Sequence, residues 1–314
     1  MPRLRVRITV VFYYGSMGTR ANREDLSSPL ISVIVPITRM FGRLGELKGW
    51  LGEIDFQKIE VILVHDRQDE LTSDDIRLFC SEYPLLQVIE KTFQSAGLAR
   101  NAGIEVARGK WIAFWDSDDK PSVSVLKEFF SDQEKDSFDV HIFNFVIEAN
   151  NKEIYHETHN WRDIAFQPGI WRMIFSKSTI LDCHFPSFPL GEDQYFLGLI
   201  DLPNQRLRYL DRPIYTYQSG VDGQATSRKL NLLRILESLL ALDSLRKSQS
   251  GTNHEFTSIM YWRQVITLAK RGNIVLKLRA FLLGLKSVMR INRSYFRSMR
   301  ALMYVLVRVL VRNA

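Results

Sequence analysis

The sequence predicts an α/β protein: a mainly parallel, Rossmann-like sheet flanked by helices, followed by a C-terminal helical extension. Three observations carry this. Between residues 30 and 116, short β-branched apolar runs alternate with helical patterns, the signature of βαβ units. The runs are apolar on both faces, as strands covered by helices on each side must be. Beyond Ser227 the alternation stops, and helical periodicity continues to the end of the chain.

The elements follow in order. Residues 1–28 open on a basic start and a short apolar stretch, Ile8–Tyr14, marginal for a signal-peptide core; a poorly ordered extension is expected. LISVIVPI (30–37) reads as a buried strand ended by proline, and MFGRLGELKGWLGEI (40–54) as a helix weakened by glycines. KIEVILVHD (58–66) is a second buried strand, DDIRLFCSEY (74–83) a helix and LQVIEK (86–91) a short strand. AGLARNAGIEVARG (96–109) is a helix closed by glycine, and KWIAFWD (110–116) a strand running into acidic residues. FDVHIFNFVIE (138–148) is a strand, GIWRMIFSKSTILDC (169–183) a helix or helix–turn, and LRYLDRPIYTYQS (207–219) a strand pair. LGEDQYFLGLIDL (190–202) is a helix with an acidic first turn.

Of the 314 residues, 46% are hydrophobic and 25% charged, a globular composition. Cys80 and Cys183 stand far apart, which argues against a disulfide framework or thiolate metal site and for a reducing compartment. No apolar run reaches the roughly 18 residues that a transmembrane helix needs. The net charge of +7 is uneven: residues 256–314 hold 12 Lys+Arg and no acidic residue, so the remainder is mildly acidic.

Three carboxylates, Asp116, Asp118 and Asp119, fall within four positions at a strand end. Such crowding is acceptable where a hard cation offsets the repulsion, with positions left for substrate phosphates. The alternative is an N-cap or turn before the helical pattern of KPSVSVLKEFF. Asp66 also ends a predicted strand, so parallel pairing puts it on the same sheet edge as Asp116, where α/β sheets bind ligands.

The stretch AGLARNAGIEVARGKWIAFWDSDD resembles the signature of the family two inverting glycosyltransferases, through Gly97, Ala99-Arg100-Asn101, Gly103-Ile104, Ala107, Gly109 and Asp116–Asp119. ISVIVPI and VILVHDRQDE are similar to that family's first two strands. The resemblance implies a GT-A fold over residues 29–226, followed by a helical basic region over 227–314. It further implies a nucleotide-sugar donor, a UDP-sugar, whose diphosphate is held through Mn²⁺ or Mg²⁺. By position, Asp118 would be the principal metal ligand, with Asp116 supporting the metal or the ribose and Asp119 flanking the site. Asp66 would read the base edge. Pro36 and Asn101 lie within the matched stretches and join the donor-binding set. Arg100 would meet the donor's phosphates or base, or pair with a neighbouring carboxylate. One departure is visible: the family's Asp-Asp-Gly-Ser becomes His65-Asp66-Arg67-Gln68, with His65 read as a local hydrogen-bonding substitute.

LGEDQYF (190–196) also resembles the family, where an acidic pair opens a helix beneath the acceptor. An inverting transfer needs one base to take the acceptor hydroxyl's proton. Asp193 is the candidate, with Glu192 beside it; both residues equally suit a helix dipole. Trp171 is placed either to stack on an acceptor sugar or to anchor its helix. Residues 215–226 are expected to close over the site.

On a helical wheel, the basic residues of 278–312 occupy an arc of roughly 120° opposite an apolar face. Such a stripe suits an anionic membrane surface, or covers the protein's own core. The expectation is a cytoplasmic protein, peripheral on the inner face of the cell membrane, acting on a glycan or lipid-linked acceptor. Competing readings are a catalytically inactive transferase-like scaffold and a nucleic-acid binder. No nucleic-acid partner is expected, since zinc spacing, helix-turn-helix and aromatic–basic interleaving are all missing.

Overall fold

The computed structural model describes residues 10–11, 29–37, 40, 44–67, 73–83, 85–132, 134–188, 190–220, 232–271, 279 and 281–284. These divide into two compact units, one spanning 1–159, 169–189 and 205–227, the other 160–168, 190–204 and 228–314.

The first unit is built on one sheet. Its strands are β1 (Val10–Val11), β2 (Ile31–Ile37), β3 (Ile59–Asp66), β4 (Gln87–Lys91), β5 (Trp111–Phe114), β6 (Lys120–Pro121), β7 (Val140–Ala149), β8 (Lys152–His156), β9 (Met173–Ser176) and β10 (Leu207–Gln218). They lie in the order β1-β4-β3-β2-β5-β9-β7-β10-β6, with β8 paired to β7. The pairs β3–β4, β2–β3, β2–β5 and β7–β10 are parallel, while β9 runs antiparallel between β5 and β7. All eight residues of β3 are buried, as expected of a central strand covered on both faces. The helices α1 (Gly45–Leu51), α2 (Ser73–Ser81), α3 (Ala96–Val106) and α4 (Val123–Ser131) complete the βα units. Because β2 to β5 are parallel, their carboxyl ends share one edge of the sheet.

Three expectations need correction. Residues 169–183 are not one helix: a 3-10 turn at Ile170–Arg172 leads into β9 and then the four-residue α6 (Lys177–Ile180). The backbone of Met173–Ile174–Phe175 fills the gap between β5 and β7, and that pairing overrides local pattern. Residues 207–218 form one strand along β7, with register shifts around Pro213, not a pair. The helix within 40–54 is confined to Gly45–Leu51.

The second unit gathers α5 (Trp161–Phe166), α7 (Glu192–Leu199), α8 (Leu232–Ser248) and α9 (Gly251–Arg271). Ile235 and Leu239 of α8 pack with Tyr261, Trp262, Val265, Leu268 and Ala269 of α9. Part of the basic segment is therefore core. Its amphipathic stretch 278–312 lies almost wholly outside the described residues.

Candidate active site

Strand β5 leaves the sheet at the acidic loop. Trp115 donates its N–H to Ile34 O at 3.1 Å, and its ring meets Trp50 edge-on at 5.3 Å. Asp116, Ser117 and Asp118 are then half-exposed, while Asp119 is buried. Strand β10 braces both ends of this loop. The Tyr215 hydroxyl accepts the Asp116 N–H at 2.8 Å, and Asp119 Oδ1 accepts the Gln218 N–H at 2.7 Å. Burial, reinforced by the charges of Asp116 and Asp118, pushes the Asp119 carboxyl up to about 9. Burial and the carboxylates of Asp119 and Asp116 likewise hold the Tyr215 phenol well above its usual range, so it is neutral. The acidic residues do not cap α4; Ser122 does, accepting the Val125 N–H at 3.4 Å.

Helix α3 supplies the next layer. Arg100, 3% exposed, points its guanidinium at Asp116 Oδ1, 2.8 Å away, and lies over the Phe185 ring at 5.6 Å. The ion-pair role is thus the one its contacts display. Asn101 clamps the Phe185 backbone, donating from Nδ2 to the carbonyl and accepting the N–H at Oδ1, both at 2.8 Å. The glycines of the motif let backbone approach the sheet: a Cβ on Gly103 would sit 2.4 Å from Ile34 Cγ2, and one on Gly109 2.5 Å from Ser32 N. Below them the buried Glu60 carboxylate accepts Ser32 Oγ at 2.5 Å, the N–H of Arg108 at 2.8 Å and the Gln87 amide.

Asp66 closes β3 on the same edge, buried, with Oδ1 accepting the Phe93 N–H at 2.7 Å. Pro36 lies beside it in register with Val64. His65 is fully buried, 3.3 Å from Glu90 Oε1, where it is a structural hydrogen-bonding group. Trp171 is stacked on Tyr215 at 4.7 Å and on Tyr217 at 5.9 Å, and meets Phe145 edge-on. Residues 215–218, expected in a closing segment, are sheet interior; 221–226 lie outside the described residues.

In the second unit, half-exposed Glu192 and Asp193 open α7. Gly191 precedes them at φ +82°, and a Cβ there would meet Gln264 Nε2 at 2.6 Å. Ser238 Oγ donates to Gln264 Oε1 at 2.9 Å, and Gln264 Nε2 donates to Gln194 Oε1 at 3.1 Å, so α8 and α9 fix the start of α7.

Sequence reasoning placed Tyr215 and Gln218 only within the expected closing segment, with no role of their own, and gave none to Phe185. Only the Phe-Pro turn left a local trace, since the braces span 99 positions.

Among the described residues, no group of three or more His, Cys, Asp and Glu side chains is placed to cage a metal ion. The loop nevertheless suits Mg²⁺ or Mn²⁺, which take one or two carboxylates and complete their shell with water and phosphate oxygens. Asp118 and Asp116 are the half-exposed pair; Asp119 is sealed, with one oxygen committed to Gln218.

Comparison with known proteins agrees with this architecture. Glycosyltransferase GlyG of Streptococcus pneumoniae is 33% identical over 120 residues, 38% of this chain and 40% of its own. An uncharacterized glycosyltransferase of Bacillus subtilis, EpsJ, is 27% identical over 215 residues, covering 61% of this chain and 62% of its own. The match thus spans about three fifths of EpsJ's length. Among solved structures, S. aureus TarS 1–349 in complex with UDP-GlcNAc has TM-score 0.63 at 17% identity, covering 90% of this chain and 82% of that one. The mannosyltransferase PcManGT from Pyrobaculum calidifontis, in complex with GDP-Man and Mn²⁺, has TM-score 0.52 at 15% identity, covering 91% and 87%. At these identities the structures speak to fold alone, which is the GT-A fold. The profile of Glycosyl transferase family 2 matches residues 32–189, and the chain belongs to that family.

Proposed function

We propose that this protein is a metal-dependent inverting glycosyltransferase. It moves a sugar from a nucleotide-sugar donor, a UDP-sugar, to a hydroxyl of a glycan or lipid-linked acceptor in surface polysaccharide synthesis. The observation that carries this reading is the Asp116–Asp119 loop: two half-exposed carboxylates at the carboxyl edge of a parallel sheet, inside the family match. The UDP-GlcNAc complex of TarS and the GDP-Man and Mn²⁺ complex of PcManGT support the donor and cation classes.

Asp118 and Asp116 would hold Mn²⁺ or Mg²⁺, which when bound offsets charge building on the departing diphosphate. Arg100 fixes Asp116 by its ion pair. Asp66, on the same edge, is assigned the base, with Pro36 and Asn101 shaping the donor cleft. Asp193 takes the proton from the acceptor hydroxyl as its oxygen bonds to the anomeric carbon. The bond from that carbon to the diphosphate breaks on the opposite face, and the electron pair leaves with the nucleotide. Glu192 orients the acceptor beside Asp193. The stacking of Trp171 on Tyr215 and Tyr217 favours an anchoring role for it over an acceptor platform.

Among the described residues no helix is long and apolar enough to cross a membrane. We assign the protein to the cytoplasmic face, attached peripherally through the basic stripe of 278–312. Liposome co-sedimentation of a chain ending after Arg271, which keeps α9, tests that assignment; undiminished binding would refute it.

The test of function is a hydrolysis and binding screen across nucleotide sugars with Mn²⁺. Asp118→Ala should lose Mn²⁺-dependent UDP binding. Asp193→Ala should keep binding and lose transfer. A wild-type chain that neither binds nor hydrolyses any donor would sink the reading.

A further inference from the structure

The backbone of β5 explains why a phenol oxygen sits beneath the acidic loop. Trp111 and Trp115 donate their N–H groups toward β2, to Leu30 O just before the strand and Ile34 O within it, both at 3.1 Å. By the two-residue period of a strand, the Asp116 N–H faces the other way. On that side the antiparallel neighbour β9 has already run out, its last register partner being Ile174 opposite Ala113. An N–H at this depth needs an acceptor. Tyr215 Oη supplies it at 2.8 Å, standing in for the carbonyl that the ladder no longer offers.

The phenol is itself held. Tyr215 is 1% exposed, and its ring stacks on Trp171 with an interplanar angle of 19°. Trp171 is backed by Gly169, where a Cβ would come within 2.5 Å of the indole. Three residues on, Gln218 donates its N–H to Asp119, so one strand braces the loop at both ends while the carboxylates between the braces stay half-exposed.

We propose that the Tyr215 hydroxyl is a positioning group for the metal–nucleotide site. By taking the Asp116 N–H, it sets the Asp116–Asp118 backbone so that both carboxylates face the sheet edge before cation and diphosphate arrive. The proposal rests on the donor-site reading above. It assigns a role to a residue outside the family match, which ends at 189.

Tyr215→Phe deletes one oxygen and keeps the stacked ring. Tyr217→Phe is the control: it removes a hydroxyl from the same strand and the same stack on Trp171. Calorimetric titration of UDP in the presence of Mn²⁺, on the full chain and below the unfolding transition of every variant, reads the effect without turnover. Tyr215→Phe should bind UDP about tenfold more weakly and need more Mn²⁺ for half-maximal binding, with Tyr217→Phe unchanged. Wild-type affinity in Tyr215→Phe would overturn the proposal and leave the donor site standing. Equal losses in both variants would assign the effect to strand packing and also overturn it. A wild-type chain that binds no UDP with Mn²⁺ would remove the donor-site reading itself.

Discussion

Arg100 and Asp116, sixteen residues apart, meet at 2.8 Å with the guanidinium only 4% exposed and the carboxylate 31% exposed. The cation is buried; the anion faces outward. Removing Arg100 takes away the buried member and leaves a carboxylate that water still reaches, so the cost is that of a lost charge-assisted hydrogen bond, about 1.5–3 kcal/mol. Arg100→Ala should therefore lower the melting temperature, read by calorimetry. Arg100→Lys keeps the charge without the planar fork and should weaken Mn²⁺-dependent UDP binding by about tenfold. Unchanged UDP affinity in Arg100→Lys would detach this pair from the donor site.

Gly103→Ala tests how closely α3 lies on the sheet. The added Cβ would overlap Ile34 Cγ2 at 2.4 Å, and overpacking of this kind costs about 1–3 kcal/mol. Ile34→Ala alone opens a cavity, but in the Gly103→Ala background it should recover part of the loss. A double-mutant cycle in urea measures this coupling; strict additivity would mean the helix simply shifts to make room.

The parallel half of the sheet was legible because Ile31–Ile37 and Ile59–Asp66 are mainly apolar, β-branched runs with helical patterns between them. The acidic loop and the Arg100-Asn101 pair were visible as a local spacing. Strand β9 was misread as helix because its Met-Ile-Phe-Ser has no two-residue alternation; its state is set by the strands on either side. The charged β8, Lys-Glu-Ile-Tyr-His, offered no buried run and went unrecognised. Nothing local in Tyr215 or Gln218 indicates a partner 99 positions away.

Gly191→Ala addresses the proposed acceptor side. The residue sits at φ +82°, and its new Cβ would approach Gln264 Nε2 at 2.6 Å and Ser238 Oγ at 3.2 Å. Strain of this kind costs about 1–3 kcal/mol and falls on the turn that carries Glu192 and Asp193. Transfer rate should drop by about tenfold or more while Mn²⁺-dependent UDP affinity stays at the wild-type value. Parallel loss of both would show that the change spreads beyond α7.

The fourth prediction concerns acid. His141 is fully buried among the rings of Trp111, Phe129 and Phe138, with Nε2 2.9 Å from Lys135 O. Burial lowers its pKa; Arg208 acts in the same direction, while the Lys135 carbonyl, Asp132 and Asp136 oppose it. The unfolded chain thus takes up this proton first, near 6.5, so the His141 contribution to stability falls as pH drops below about 6.5 and is flat above it, while Asp119, pushed up to about 9, contributes the opposite slope. His141→Gln should flatten the dependence of the melting temperature between about pH 7 and 5. A residual slope is expected from His156, lowered by burial and by Arg172. An unaltered slope would acquit His141.

The braces on the acidic loop come late in the chain. A polypeptide emerging from the ribosome makes β2 to β5 and all three aspartates long before it makes Tyr215 and Gln218. Until then the Asp116 N–H and the Asp119 carboxylate have only water to satisfy them. On the donor-site reading proposed above, the loop gains its footing only once β10 is made, and any product cut short before Tyr215 carries the motif without it.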